Sequence, residues 1–257
     1  MKIHYLGTCS GTEPMPNMHH CSLIFEIGGT SYWFDAGEGC AYTAYLAGID
    51  LTATKCLFIS HPHPDHICGL PHLLFCLNKL TGRYKLKMKH SDTLKIFSPD
   101  SSIVEAATVL GGSGGKRYKV ENNPVSDGIV FDDSSVRVSA VHNRHLKETG
   151  ESGWHSYSYL IEAENKRAVF SGDVLEPSEL DVFVDSGCDI LIMETGHHPV
   201  SSVCEYALKK GIKKLRFNHH GREILEGREV AERFALQFGK EHGMDIVICS
   251  DSTAEEL

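Results

Sequence analysis

Residues 61–66, "HPHPDH", place three histidines and one aspartate within six positions, with Pro62 and Pro64 between them. Neutral imidazoles and a carboxylate are ligands for borderline metals such as zinc, and ligands close in sequence cost little chain entropy to gather. The run follows a short apolar stretch, "KCLFIS", and precedes "ICGLPHLLFCLNKL", which has helical spacing. The fold must therefore present a strand–loop–helix unit whose loop faces a metal. His61 and His63 alternate along extended chain and point the same way, whereas Asp65 and His66 fall at a helix start and address a second metal. The prolines stiffen the loop and remove two backbone donors.

The flanking sequence alternates in the same manner. "KIHYLGT" reads as a strand, and "CSLIFEIGGTSYWFDAGEG" as two strands joined at Gly28-Gly29, a hairpin signal. "AYTAYLAGI" and "SSIVEAATVL" have helical spacing, "TLKIFSP" and "SVRVSAV" read as strands, and "GGSGGK" (111–116) reads as flexible. In the second half "SYSYLIEAENKRAVFSGD" is a hairpin, and "CDILIMET", "KKLRFNHHG" and "DIVICS" are strands. "SVCEYALKKG" and "REVAERFALQFGKEHG" are helices between and after them. Two halves of strands with helices outside imply an α/β, four-layer αβ/βα sandwich. No composition shift marks a linker, so residues 1–257 are read as a single domain.

Composition limits the partners. Lys and Arg number 25 against 34 Asp and Glu, a net charge of −9, which disfavours holding a long polyanion by its phosphates. RNA is accordingly not favoured, and "KLTGRYKLKMKH" (79–90) is the one basic run to set against this. No run of about 18 apolar residues appears, so no membrane partner is expected. The start "MKIHYLGTCSG" lacks the pattern of a signal peptide, and the expected location is cytoplasmic. Nine scattered cysteines without a C-x-x-C pair read as reduced thiols.

The histidine run resembles the H-x-H-x-D-H motif of the metallo-β-lactamase superfamily, and the resemblance extends over nearly the whole chain. It implies three further ligands. "VRVSAVHNRH" offers His142 and His145, "AVFSGDV" offers Asp173, and "LRFNHH" offers His219 and His220. The family's step from Ala140 favours His145, and position after the strand favours His219, with His142 and His220 the alternative ligands. His142 and His220 then take supporting places behind the ligands, and Asp35, in "YWFDAGEG", supports the ligand loop in the same way. The implied site is dinuclear, with one ion on His61, His63 and His145, another on Asp65, His66 and His219, and Asp173 between. Two divalent transition-metal ions are expected, zinc first, with manganese and iron also suited to these ligands. Two such ions about 3.5–4 Å apart would generate a bridging hydroxide.

Within the superfamily, "LGTCSGTEPMPNMHHCSLIFE", "FDAGEG" and "HPHPDHICGLPHLL" resemble ribonuclease Z and its phosphodiesterase relatives. "ETGHHPVSSVCEYALKKGIKKLRFNHH" matches the segment where that branch carries a catalytic histidine. The match places it at His197, with His198 the near alternative, and gives it the protonation of the leaving oxygen. Asp65 and His197 are the residues expected to be catalytic. The long arm with which ribonuclease Z grips tRNA is absent, since a tight hairpin joins Glu162 to Lys166, and Arg222 stands one position early for the branch's phosphate-contacting arginine. The expected enzyme is therefore a metal-dependent hydrolase, a phosphodiesterase acting on a small phosphodiester. The alternatives are a carboxylic ester, lactone or thioester hydrolase and a non-catalytic metal-binding protein. The branch also implies a homodimer.

Overall fold

Alternating apolar residues in the first sixty positions set the first sheet. In the computed structural model, which describes residues 1–112, 118–146 and 153–257, β1 (Lys2–Gly7), β2 (Ser22–Ile27), β3 (Thr30–Phe34), β4 (Thr54–Phe58), β5 (Thr93–Ser98) and β6 (Lys119–Pro124) pair side by side. The second sheet is built from β7 (Gly128–Asp132), β8 (Val136–His142), β9 (Tyr157–Ala163), β10 (Lys166–Phe170), β11 (Ile190–Thr195), β12 (Lys214–His220) and β13 (Asp245–Ile248). The chain then returns to the first sheet, where β14 (Thr253–Glu256) pairs antiparallel with β1. Each sheet is mixed, with orders β14-β1-β2-β3-β4-β5-β6 and β13-β12-β11-β10-β9-β8-β7.

The period of two divides each strand between two cores. Leu23, Phe25, Phe34 and Phe58 meet Tyr159, Ile161 and Phe170 between the sheets. Ile24, Trp33 and Leu57 face the other way, under α1 (Cys40–Leu46), α3 (Leu70–Gly82) and α4 (Ser101–Leu110). On the far side Val169, Leu191, Met193 and Phe217 lie under α5 (Asp181–Val184), α6 (Val200–Lys209) and α7 (Arg222–His242). The four layers are those expected from the sequence.

Three details depart from the sequence reading. The helical stretch after the histidine run is two helices: the single turn α2 (Pro64–Ile67) is separated from α3 by Gly69, and Pro71 sits in the first turn of α3. α7 begins six residues before Arg228, because non-helical Gly227 (φ −138°) kinks it and joins an earlier piece. β6, "KVENNP", and β14, "TAEE", have little intrinsic strand preference and form because a neighbour supplies the ladder. As expected, β9 and β10 form a tight hairpin, which turns on Glu164 and Asn165, both left-handed, with no room for an arm. Of the "GGSGGK" segment, residues 113–116 lie outside the described residues. All nine cysteines are free, and Cys9, Cys21, Cys40, Cys56, Cys204 and Cys249 are buried. Among the described residues no helix is long and apolar enough to cross a membrane.

Candidate metal centre

The chain leaves β4 at Phe58 and reaches His61 through Ser60, whose backbone N–H and hydroxyl both donate to the Asp35 carboxylate, at 2.7 and 2.8 Å. Asp35 is fully buried and left-handed (φ 58°), a strained backbone held by what its side chain touches. Its second oxygen also lies 2.7 Å from His66 Nδ1, which directs His66 Nε2 into the site. The loop interlocks closely with residues 35–37, since a Cβ on Gly69 would fall 2.0 Å from the Gly37 carbonyl oxygen. That approach requires glycine.

Three further loops converge on this one. His145 follows β8, Asp173 follows β10, and His219 lies near the end of β12. His61 Nε2 and His63 Nδ1 are 3.0 Å apart, and His63 Nδ1 is 3.2 Å from His145 Nε2. Asp173 Oδ2 is 3.7 Å from both His61 Nε2 and His145 Nε2. On the other side Asp173 Oδ1 is 3.5 Å from His66 Nε2 and 3.4 Å from His219 Nδ1. Asp65 Oδ2 completes this second group, 3.1 Å from His219 Nε2 and 3.3 Å from His66 Nε2. The two oxygens of one buried carboxylate thus face two separate ligand sets, each of which could hold an ion.

Whether the residues fit a metal is answered by their unsatisfied atoms. His66 Nε2, Asp173 Oδ1 and His219 Nδ1 are buried and have no hydrogen-bond partner, yet they point at one another. Buried polar atoms left in this way are costly unless a shared cation satisfies them. The donor set, imidazole and carboxylate, suits zinc, manganese or iron.

Electrostatics agree with that fit. Burial, and then the neighbouring His66, drive the His61 imidazole well below its ordinary range, so it is neutral. Burial alone would lower His66 and His219 too, but Asp173 outweighs it in both, aided at His66 by Asp35 and at His219 by Asp65. His66 is held well above its usual range and His219 is raised to about 9. In the metal-free protein these two rings hold protons that a metal must displace, so metal affinity falls in acid. Burial opposes ionisation of Asp173 as well, and the facing imidazoles, His219 and His66 first, reverse it.

The structure settles the geometry of the two ambiguous pairs. His142, named as a supporting residue, ends β8 against Asp127 (Nδ1 to Oδ2 2.7 Å) and stacks on Trp154 at 4.3 Å, a surface contact. Its neighbour Asn143 is buried and orients the next turn, its Oδ1 accepting the His145 N–H. His220 points away from the site, with Nε2 2.8 Å from the Cys249 carbonyl. His219 is brought inward by a bulge: β12 pairs Asn218 with Glu194 and His220 with Thr195, so His219 is skipped, at φ 48°.

The open side of the cluster is a cavity of about 220 Å3 lined by Ser10, Gly11, His63, Asp65, Asp173, Gly196, His197 and His219. Asp251 holds the loop above it, accepting from the Thr8 N–H, the Thr8 hydroxyl and the His19 N–H. His197 is half-exposed on the cavity wall, and Glu194 at the end of β11 accepts its backbone N–H at 2.9 Å and lies 3.1 Å from its Nδ1. That carboxylate beside it raises His197 above its ordinary pKa. His198 turns aside to the Val174 carbonyl at 3.0 Å. Glu194 escaped the sequence reading, although a carboxylate in the otherwise apolar "ILIMET" was a signal, because charged residues are buried only with partners. Burial pushes against its ionisation, but the bonds from His197 and His219 lower it to about 2. Arg222 lies outside the cluster, paired with Glu13 at 2.5 Å and with Thr12.

Comparisons with known proteins agree with this architecture. The model of the family described as "Anti-Pycsar protein Apyc1" matches residues 1–204. A ribonuclease Z of Picrophilus torridus is 25% identical over 280 aligned residues, covering 85% of each chain. One from Prochlorococcus marinus strain NATL1A is 31% identical over 146 residues, which cover 56% of this chain and 46% of that enzyme. Human tRNase Z, short form, superposes with a TM-score of 0.74 at 16% identity over 100% of this chain and 99% of its own. The chain belongs to the family of the anti-Pycsar protein Apyc1, within the ribonuclease Z-like branch of the metallo-β-lactamase superfamily.

Proposed function

We propose that this metal-dependent hydrolase cleaves a small phosphodiester at a two-ion centre. The observation that carries the reading is Asp173, whose Oδ2 faces His61 and His145 and whose Oδ1 faces His66 and His219. In this reading His61, His63 and His145 would hold one ion and Asp65, His66 and His219 the other, with Asp173 offering one oxygen to each set. Such a pair supplies an activated water at neutral pH and neutralises charge on the attacking and leaving oxygens. Zinc is the proposed ion, and a homodimer the proposed assembly, both by resemblance to the branch.

The chain's own residues orient the substrate and move the proton. Nδ1 of His197 is engaged by Glu194, so Nε2 is the atom that delivers a proton to the leaving oxygen. The Glu194 carboxylate beside it favours the protonated ring. Asp65, buried among imidazoles, stays ionised and faces the cavity as a ligand. The cavity's size, the two-residue turn at Glu164 and Asn165, and the net charge of −9 favour a small substrate over tRNA.

The test compares kcat/KM on bis-nitrophenyl phosphate, a nitrophenyl ester, a lactone and precursor tRNA, with and without added metal. The phosphodiester should be turned over, and precursor tRNA should be cleaved at least about tenfold less efficiently than by an arm-bearing ribonuclease Z, a deficit of roughly 1.4 kcal/mol. Equal efficiency on tRNA would overturn the small-substrate reading. Turnover confined to the ester or lactone would make the protein an acyl hydrolase.

A further inference from the structure

We infer that Glu179 is a positioning residue that straps together the two loops carrying His145 and Asp173, and so sets the ion site that those residues share. The inference rests on the ligand assignment proposed above and concerns a residue that stands outside it. Glu179 lies in the single 3-10 turn Pro177–Leu180 that follows the Asp173 loop, and its side chain is 9% exposed.

Its two carboxylate oxygens are divided between the loops. Oε2 accepts the backbone N–H groups of Leu175 and Glu176, at 2.9 and 3.3 Å, which closes the segment immediately after Asp173. Oε1 reaches across to the β8–β9 connection and accepts both the backbone N–H and the Nε of Arg144, at 3.0 and 2.7 Å. Arg144 immediately precedes His145, whose Nε2 lies 3.7 Å from Asp173 Oδ2. Arg144 and Glu179 are separated by 35 residues, and β9 and β10 lie between them in the chain. No strand ladder fixes residues 144–146. The ties of this turn include the His145 N–H donated to Asn143 Oδ1, the Glu179 carboxylate, the Arg144 guanidinium 3.7 Å from Glu176 and the His145 ring 3.2 Å from His63. A carboxylate accepting charge-assisted and backbone bonds from both sides holds the separation of the loops, and therefore of the two ligands.

The arrangement makes an asymmetric demand. His66, Asp65 and His219 are held by Asp35, by α2 and by the bulge of β12, whereas the bonds of the Glu179 carboxylate run to Leu175, Glu176 and Arg144. Loss of the strap should therefore weaken the ion of the His145 set more than the other, which shares only Asp173 with it. Removing such an outer partner typically lowers metal affinity about 10–100-fold.

The experiment is zinc titration against a chromophoric chelator on the full chain, in the native protein and in Glu179→Ala, Arg144→Ala, His145→Ala and His219→Ala. Thermal melting of each metal-free sample reports folding separately. Glu179→Ala should weaken, about 10–100-fold, the same ion that His145→Ala removes, and weaken the ion that His219→Ala removes clearly less. Arg144→Ala, which deletes an exposed side chain but keeps the backbone donor, should give a smaller weakening of the same ion. Native affinity for both ions in Glu179→Ala would overturn the strap. Equal weakening of both ions, with a fall in metal-free melting temperature, would also overturn it by showing a general structural role. If His145→Ala itself loses no ion, the ligand assignment fails, and the strap with it.

Discussion

His219 and His220 are adjacent, both buried and on the same strand, yet they do opposite things. Which of them faces the cluster depends on a one-residue bulge, and a bulge leaves no mark in a pattern of apolar residues. The choice between His142 and His145 was similar, because it turned on where β8 ends and how Asn143 turns the chain. The "HPHPDH" cluster was legible as a set of candidate ligands because all of them lie in one loop, and Asp35 as their support because its motif ends a strand. Glu194 was legible only as an anomaly, a charge in a buried strand. The burial of His220 has a measurable consequence. Burial first, with the positive charges of Arg228 and His219, lowers its pKa from its ordinary 6.5 to about 3, against the opposing bond to the Cys249 carbonyl. Between those values the unfolded chain binds a proton that the folded chain refuses, so this residue makes stability rise with pH from about 3 to 6.5. Urea denaturation of metal-free His220→Gln across that range should show a shallower pH slope than the native chain. An unchanged slope would show that His220 is not the buried neutral group described.

Among the elements, strands with strict alternation and hairpins with a clear turn were readable, whereas β6 and β14 were not, because edge pairing rather than their own residues makes them strands. β4 shows how an element serves the site. Phe58, its last residue, stacks between Phe34 and Phe97 at centroid distances of 4.9 and 4.8 Å, with Tyr159 and Phe131 edge-on. This places Ser60 and His61 at the mouth of a rigid aromatic layer. Phe58→Ala leaves a cavity that close packing cannot refill and should cost about 3–5 kcal/mol in chemical denaturation of the metal-free protein. A loss below about 1 kcal/mol would mean that the stack is not the anchor of the ligand loop.

At the scale of the molecule, the centre exists only because two sheets end at one place. The first sheet delivers residues 61–66 and Asp35, and the second delivers His145, Asp173, Glu194, His197 and His219 at or just beyond the ends of β8, β10, β11 and β12. Four layers could be read from alternation alone, but the meeting of distant loops could be read only through resemblance to a family, since spacing carries no information across 150 residues. In the proposed function, hydrolysis needs both ligand sets filled. Zinc titrated into metal-free protein, with bis-nitrophenyl phosphate turnover followed at each addition, tests this most directly. Activity should be absent at the start and should level off at about two equivalents per chain, the stoichiometry of a two-metal site. Full activity without metal, or a plateau at one equivalent, would contradict it.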